Sequence, residues 1–398
     1  MNKNRKIVIF LMVLLLLPNR AWAKNLTYED EVGVILAGNG NTGQIYYSKN
    51  IDEKTSVASM SKLMTYLVVK DEIEKGLYGP EDLVKIGADE QKYNKYEYSN
   101  FGLVKGDELT VEELLKGLMV VSGNDAALAL AKKSSKSEKE FVKKMNAKAQ
   151  ELGLTKSKFY NSSGLTEEVK DKKYKNEMSA TDLFNLSRHI LEKYPETRAY
   201  GRMDVLRDKK RKYVGYSTLP LRDEMDSIEG LKTGFTDEAQ YCFTGLFDMN
   251  KIDESQDYDL ITVVMGAETP EIRATTTKEV VKYVNANYKM REVLNKDHPF
   301  TNVKINSSSK QYIDLYPEED YSDVLHLYEE VEISYDLEDG KKAPLADKEV
   351  MGSIKLKSKG RELKTINLIN RGYQSRADNL TRIYRFIGDF INSIATIF

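Results

Sequence analysis

Ser59 and Lys62 stand three residues apart at the head of an apolar run, Leu63-Met64-Thr65-Tyr66-Leu67-Val68-Val69. On a helix that spacing puts both side chains on one face. A serine hydroxyl is a weak nucleophile until a neighbour takes its proton, and a lysine kept neutral by an apolar setting can take it. The pair therefore has the makings of a nucleophile and its base, but serine and lysine are common and the tetrad alone is weak evidence. A similar tetrad recurs as Ser307-Ser308-Ser309-Lys310, but in a polar stretch with no apolar helix behind it. Two more short motifs follow the first in order, Ser122-Gly123-Asn124 and Lys232-Thr233-Gly234. Singly, Ser122 and Asn124 would be ordinary helix-end residues, and Lys232 an ordinary lysine at a strand end. Together the motifs supply a nucleophile, a base and groups able to hold an anion.

The surrounding pattern predicts the elements that must hold these groups. Val32–Leu36 and Gln44–Tyr47 read as strands joined by the turn-rich Asn39-Gly40-Asn41-Thr42-Gly43. The Ser59 helix follows and closes near Gly76. Thr110-Val111-Glu112-Glu113 is a capping box opening an apolar helix over Leu114–Val121. Ser122-Gly123-Asn124 lies where that helix ends, and Asp125 opens the next. Helical patterns continue over Phe141–Leu152 and Ala180–Leu191. The Lys232 motif belongs to a β-rich section of successive antiparallel strands: Ser227–Leu231, Tyr241–Phe247 and Leu260–Met265. A helix over Ala274–Tyr288 completes an α+β domain, an antiparallel sheet with helices on both faces.

From about Asn295 the texture changes to short alternating strands, with turns at Asp339-Gly340 and Lys359-Gly360. No helical pattern returns before residue 378. A small all-β domain with a spacer or docking role is expected over 291–376. In the last segment, 377–398, Leu380, Ile383, Tyr384, Ile387, Phe390, Ile391, Ile394 and Phe398 fall on one side of a helix. Arg382, Arg385, Asp389, Asn392 and Thr396 fall on the other. Such a stripe can pack on its own protein. At a chain end in an exported protein, an in-plane membrane anchor is favoured, and polar residues in every turn exclude a spanning helix.

At the other end, Lys3, Arg5 and Lys6 precede the apolar Ile7–Leu17, then Pro18 and Ala21-Trp22-Ala23. This is the pattern of a secretory signal, residues 1–23, with cleavage after Ala23. Its loss takes the formal charge from −2 to −6, since it carries four basic and no acidic residues. A mildly acidic chain without a basic block is not a nucleic-acid binder. The lone Cys242 excludes an intramolecular disulfide and a cysteine metal cluster. His189, His298 and His326 are scattered, which makes the serine–lysine solution simpler than a histidine triad.

The three motifs and their contexts give the chain a family likeness. Ala58–Thr65, Ser122–Ala127 and Gly230–Ala239 resemble those of the D-alanyl-D-alanine carboxypeptidases, the low-molecular-mass penicillin-binding proteins. The family block Phe-x-Asn-x-x-Gly-Leu is present as Phe159–Leu165, and the likeness covers most of Asn25–Tyr288 and continues more weakly beyond. It implies the β-lactamase/transpeptidase-like fold over 24–290 and needs no cofactor or metal. It implies a peptidoglycan pentapeptide ending in D-Ala-D-Ala as substrate, and β-lactams as covalent inhibitors. By the same likeness Ser59 attacks, Lys62 takes the proton, and Ser122 passes a proton to the leaving amine. Asn124 holds the substrate amide and steadies Lys62. Lys232 and Thr233 receive the terminal carboxylate, with Arg273 as a second contact, and Gly234 admits the substrate backbone. The N–H groups of Ser59 and Phe235 form the oxyanion hole. Val57 stands where the family often has proline, Ser61 where it usually has threonine, and Gln240 where a small residue is common. A β-lactamase and a silent peptidoglycan-binding protein are the rivals. The missing Glu-x-x-Leu-Asn segment speaks against the first, and the intact polar groups against the second. Enzyme action on the outer face of the cytoplasmic membrane is the expected setting.

Overall fold

A computed structural model describes residues 7–9 and 26–395. The described residues divide into two compact units, 26–287 and 288–395, the latter joined by Ile7–Ile9. In the first unit the strands are β1 (Val32–Asn39), β2 (Ile45–Lys49), β3 (Ile228–Gly234), β4 (Tyr241–Asp248) and β5 (Asp259–Ala267). They pair antiparallel in the order β3-β4-β5-β1-β2. The main helices are α1 (Lys62–Glu74), α2 (Val111–Met119), α3 (Asn124–Ser134), α4 (Glu138–Glu151), α5 (Ala180–Lys193) and α6 (Pro270–Asn287).

Alternation along β1 explains how helices cover both faces. Val34 and Leu36 join the large helical core with α1 to α5, and a side chain at Gly38 would strike Phe184 of α5. The equally buried Ile35 and Ala37 point the other way, towards the face that α6 covers. Nearly every residue of α1 from Lys62 to Val69 is buried, because this helix is surrounded by its neighbours. Each apolar side chain so buried contributes about 1.5–3 kcal/mol.

The capping box is realised in full. Thr110 Oγ1 accepts from Glu113 N–H (3.1 Å), and Glu113 accepts from Thr110 N–H (2.7 Å). The expected strands and helices are present with bounds shifted by a few residues, and the helix expected from Ser59 begins instead at Lys62, after a 3-10 turn over Ala58–Ser61. Three short antiparallel strand pairs give little sequence signal: Leu83–Lys85 with Glu108–Thr110, Glu167–Val169 with Lys172–Tyr174, and Val205–Asp208 with Tyr213–Tyr216. Each is short and mostly exposed, so it lacks a clear buried face.

The second unit holds β6 (Thr301–Lys304), β7 (Tyr312–Pro317), β8 (Glu332–Leu337), β9 (Val350–Ser358), β10 (Arg361–Asn370) and α7 (Asn379–Ala395). The sheet order is β8-β9-β10-β7-β6, all antiparallel. Ile313, Leu315, Ile354, Leu356, Ile366 and Leu368 lie in its core. Lys359 and Gly360 both have positive φ, the two-residue turn whose twist suits a hairpin. Of the expected leader only Ile7–Ile9 is described, pairing antiparallel with β8; the rest of it lies outside the described residues. The polar tetrad Ser307–Lys310 is a docking loop here. Ser307 Oγ accepts from Ala343 N–H, and the Arg385 guanidinium of α7 donates to the carbonyls of Asn306, Ser308 and Ser309. Arg385 therefore pins the helix instead of lying free at its polar edge. Leu380, Ile383, Tyr384, Phe386 and Ile387 are exposed. No helix among the described residues is long and apolar enough to cross a membrane.

Candidate active site

Ser59 sits in a short 3-10 turn, Ala58–Ser61, that runs straight into α1, so Lys62 is the first residue of the α-helix. Its Nζ lies 2.7 Å from each of three oxygens: Ser59 Oγ, Asn124 Oδ1 and the Ser163 carbonyl. Two of these, an amide and a peptide carbonyl, can only accept. They take two N–H bonds of the amine. In the neutral form that leaves its lone pair facing the Ser59 hydroxyl. Lys62 is fully buried, and its pKa is held well below the ordinary lysine value by desolvation first, then by the charge of Lys232, against the opposing pull of Asp125.

Nothing in the sequence marks the Ser163 carbonyl, because a backbone acceptor leaves no trace on residue type. The block that carries it, Phe159–Leu165, was legible. Asn161 Oδ1 accepts from Gly164 N–H (2.7 Å), and Thr65 Oγ1 of α1 donates to the Ser162 carbonyl (2.7 Å). Gly164 has φ of +90°, and a Cβ there would lie 1.9 Å from the Ala58 carbonyl. Ser61 donates its hydroxyl to Ala58 O and accepts from Asn176, so the hydroxyl ties the Ser59 turn to Asn176.

Ser122 and Asn124 lie in the break between α2 and α3. Ser122 is buried with φ of +59°, an unusual conformation for a residue with a side chain. Gly123 is required, since a Cβ would stand 2.7 Å from an Asp125 oxygen and 3.1 Å from Phe101 N. Asp125 is fully buried and accepts from the backbone N–H groups of Phe101, Leu103 and Ala126. Burial raises its pKa, opposed by those bonds. It fastens residues 101–103 to the turn that presents Asn124. Asp125→Ala would leave three N–H groups without that acceptor, at a cost of about 3–5 kcal/mol, or roughly 10 °C in Tm. A thermal melt checks this, with penicillin labelling expected to fall in parallel as the turn loosens.

β3 runs beside the Ser59 turn. A Cβ on Gly234 would meet the Val57 carbonyl at 2.8 Å and Met60 N at 3.3 Å, so this glycine first makes room for the protein's own backbone. Lys232 is fully buried with Nζ on the Thr233 carbonyl (3.1 Å), and desolvation, then Arg273, lowers its pKa to about 7. Thr233 Oγ1 shares a hydrogen bond of 2.8 Å with Thr218 Oγ1, a partner the sequence did not announce. Arg273 rises from the first turn of α6, and its buried Nε has no hydrogen-bond partner among the described residues. Its guanidinium lies 5.8 Å from the Tyr241 ring centroid, and Phe235, half exposed, rests on Tyr241 at 4.4 Å. Gln240 is exposed with φ of +53°, a turn conformation that glycine adopts more easily than a residue with a side chain. Glu238 accepts from Thr166 and Lys173 and so ties this turn to the hairpin at 167–174. Cys242 is buried with its thiol on Ala239 O, and burial lifts its pKa to about 11. It is a packed core group.

The arrangement combines a hydroxyl held on a buried amine of strongly lowered pKa with a basic flank of Lys232 and Arg273, which suits attack on a carbonyl that lies next to a carboxylate. Comparison with known proteins agrees. The profile described as D-alanyl-D-alanine carboxypeptidase matches residues 28–269, and that of the penicillin-binding protein 5 C-terminal domain matches 288–372. The D-alanyl-D-alanine carboxypeptidase DacF of Bacillus subtilis (strain 168) is 30% identical over 396 residues, 96% of this chain and 97% of its own. Penicillin-binding protein 5 of Haemophilus influenzae superposes with a TM-score of 0.66 at 25% identity, covering 90% of this chain and 99% of that one. Penicillin-binding protein D2 of Listeria monocytogenes, in its cefotaxime-bound form, gives 0.55 at 26% identity over 67% of this chain and 99% of that one.

Proposed function

We propose a division of labour among the site residues of this chain, which belongs to the D-alanyl-D-alanine carboxypeptidase family and is a serine carboxypeptidase. The observation that carries it is the Lys62 amine, buried and bonded to two obligate acceptors with Ser59 Oγ as its third neighbour. Lys62 takes the Ser59 proton as Oγ attacks the penultimate D-alanine carbonyl of a peptidoglycan stem peptide. The N–H groups of Ser59 and Phe235 stabilise the oxyanion. The C–N bond breaks, and the proton travels from Lys62 through Ser122 to the departing D-alanine amine. Water then attacks the Ser59 ester as Lys62 takes its proton, and the ester C–O bond breaks as Lys62 returns that proton to Ser59 Oγ. Lys232, Thr233 and Arg273 face the terminal carboxylate, which restores charge balance around a lysine that is otherwise costly to keep protonated. Asn124 bridges Lys62 and the substrate amide.

β-Lactams enter by the same attack and stay as the ester, in line with the cefotaxime-bound relative. D-alanine release from a defined pentapeptide, with mass spectrometry placing a penicilloyl group on Ser59, tests the reading. An adduct on another residue would overturn it.

The leader pattern and the amphipathic α7 support a location on the outer face of the cytoplasmic membrane, with α7 lying in the interface. Removing residues 380–398 is expected to release a soluble enzyme with full activity, since every proposed catalytic group precedes residue 274. Ile387→Asp should act in the same direction, because Ile387 is exposed on the apolar side and a charge there opposes insertion. Sedimentation with vesicles checks both, and a truncated enzyme that still sediments would end the anchor reading.

A further inference from the structure

A cleft of about 840 Å³ opens between α7 and the β-domain loops, lined by Lys304, Lys341, Lys342, Arg376 and Arg382 and by no carboxylate. We infer that it binds the phosphate-bearing head group of an anionic membrane phospholipid; this rests on the anchor reading of α7 and specifies what that anchor recognises. Lys341 is already paired with Glu338 and Glu349 at the cleft edge. Lys342, Arg376 and Arg382 form no ion pair with any described residue. Like charges gathered in a concave site repel one another and raise the local positive potential, a cost that a bound anion removes. Arginine adds a flat, forked donor set that matches phosphate oxygens.

The end of the helix is not itself the anion site. Asp378 already accepts from Thr381 N–H and Thr381 Oγ1, so the first turn of α7 is capped by a carboxylate. Lys342, Arg376 and Arg382, which pair with no described carboxylate, are the cations that face a ligand.

The apolar rim selects a lipid over a soluble phosphate. Ile383 and Phe386 line the same cleft and are 58% and 73% exposed. Leu380 and Ile387 continue that apolar surface along α7. A phosphate group among the cations therefore has hydrocarbon-seeking side chains directly beside it, as a lipid with head group and acyl chains requires. A free phosphate would leave the apolar rim in water. Arg385, bonded to the carbonyls of residues 306, 308 and 309, holds α7 to the loop and keeps cleft and rim in register.

The test uses the full mature chain and vesicles of phosphatidylcholine, with or without about one third phosphatidylglycerol. Lys342→Glu/Arg376→Glu should lower partitioning onto the anionic vesicles at least tenfold, leave binding to neutral vesicles unchanged, and leave penicillin labelling intact. Both residues are exposed, so the fold should tolerate them. Lys342→Gln/Arg376→Gln should shift binding the same way by less. Lys357→Glu/Lys364→Glu changes the same net charge on the β9–β10 hairpin, near its distal turn, and should cost under about threefold. An equal loss from that control would assign the effect to net charge and overturn the site. So would unchanged partitioning of the cleft variant, or soluble glycerol phosphate that displaces the protein from vesicles at the concentration of vesicle lipid. If truncation at residue 380 leaves vesicle binding intact, the anchor reading fails. If truncation releases the protein while the cleft variant still prefers anionic vesicles, only the cleft assignment fails.

Discussion

Ser59→Ala is expected to abolish penicillin labelling and to lower D-alanine release by at least about 10⁴-fold, because among the described residues Ser59 is the hydroxyl that meets the buried Lys62 amine. The loss should be chemical and not structural. Ser59 is only half-buried, and alanine removes a single hydrogen bond, worth about 1 kcal/mol or less in net stability. Lys62 keeps Asn124 and Ser163 as partners. The melting temperature should therefore stay within a few degrees of the parent. Ser307→Ala is the matched control: it loses the contact with Ala343 N–H in the β domain and should leave labelling unchanged. Residual labelling of the Ser59 variant above a few per cent of the parent would show that another nucleophile carries the acyl group.

Lys62→Arg should be nearly as damaging. A guanidinium retains the positive charge and hydrogen-bond donors, but it stays protonated at any pH the protein survives and offers no lone pair. Acylation is expected to drop by about 10³-fold or more, on the argument that general-base assistance alone contributes up to 10⁴-fold. Since the Lys62 pocket is fully buried, the larger head can also strain the fold; Lys62→Met separates the two effects, having similar length and no charge. In the parent enzyme, acylation should rise with pH as Lys62 loses its proton, with a midpoint well below that of a free lysine. Removing the neighbouring charge by Lys232→Gln should move that midpoint to higher pH, because Lys232 is one of the two causes that depress Lys62. A shift to lower pH, or a Lys62→Arg enzyme with more than a tenth of parental acylation, would remove Lys62 from the role of base.

Features that a few neighbouring residues decide were legible in the chain. Ser59 and Lys62 are three apart, so any helix there brings them together. The capping box at Thr110 and Glu113 closes on itself, and Lys359-Gly360 can twist into a hairpin turn whatever packs nearby. The alternation of β1 and the apolar run of α1 announced an α+β domain because burial is written into residue type. What tertiary structure decided is everything that depends on groups common to all residues or on distant partners. The third acceptor on Lys62 is a peptide carbonyl 101 positions away. Asp125 looked like a helix-start residue, yet its buried carboxylate holds three backbone N–H groups. Lys232 taken singly reads as an ordinary strand-end lysine, and only the folded chain buries it fully and sets Arg273 near enough to bring its pKa to about 7. Arg385 looked like a free polar edge and instead pins α7 to three carbonyls. A sequence names the side chains, but the dielectric around an amine and the carbonyls that meet it arise only when the chain has closed around them.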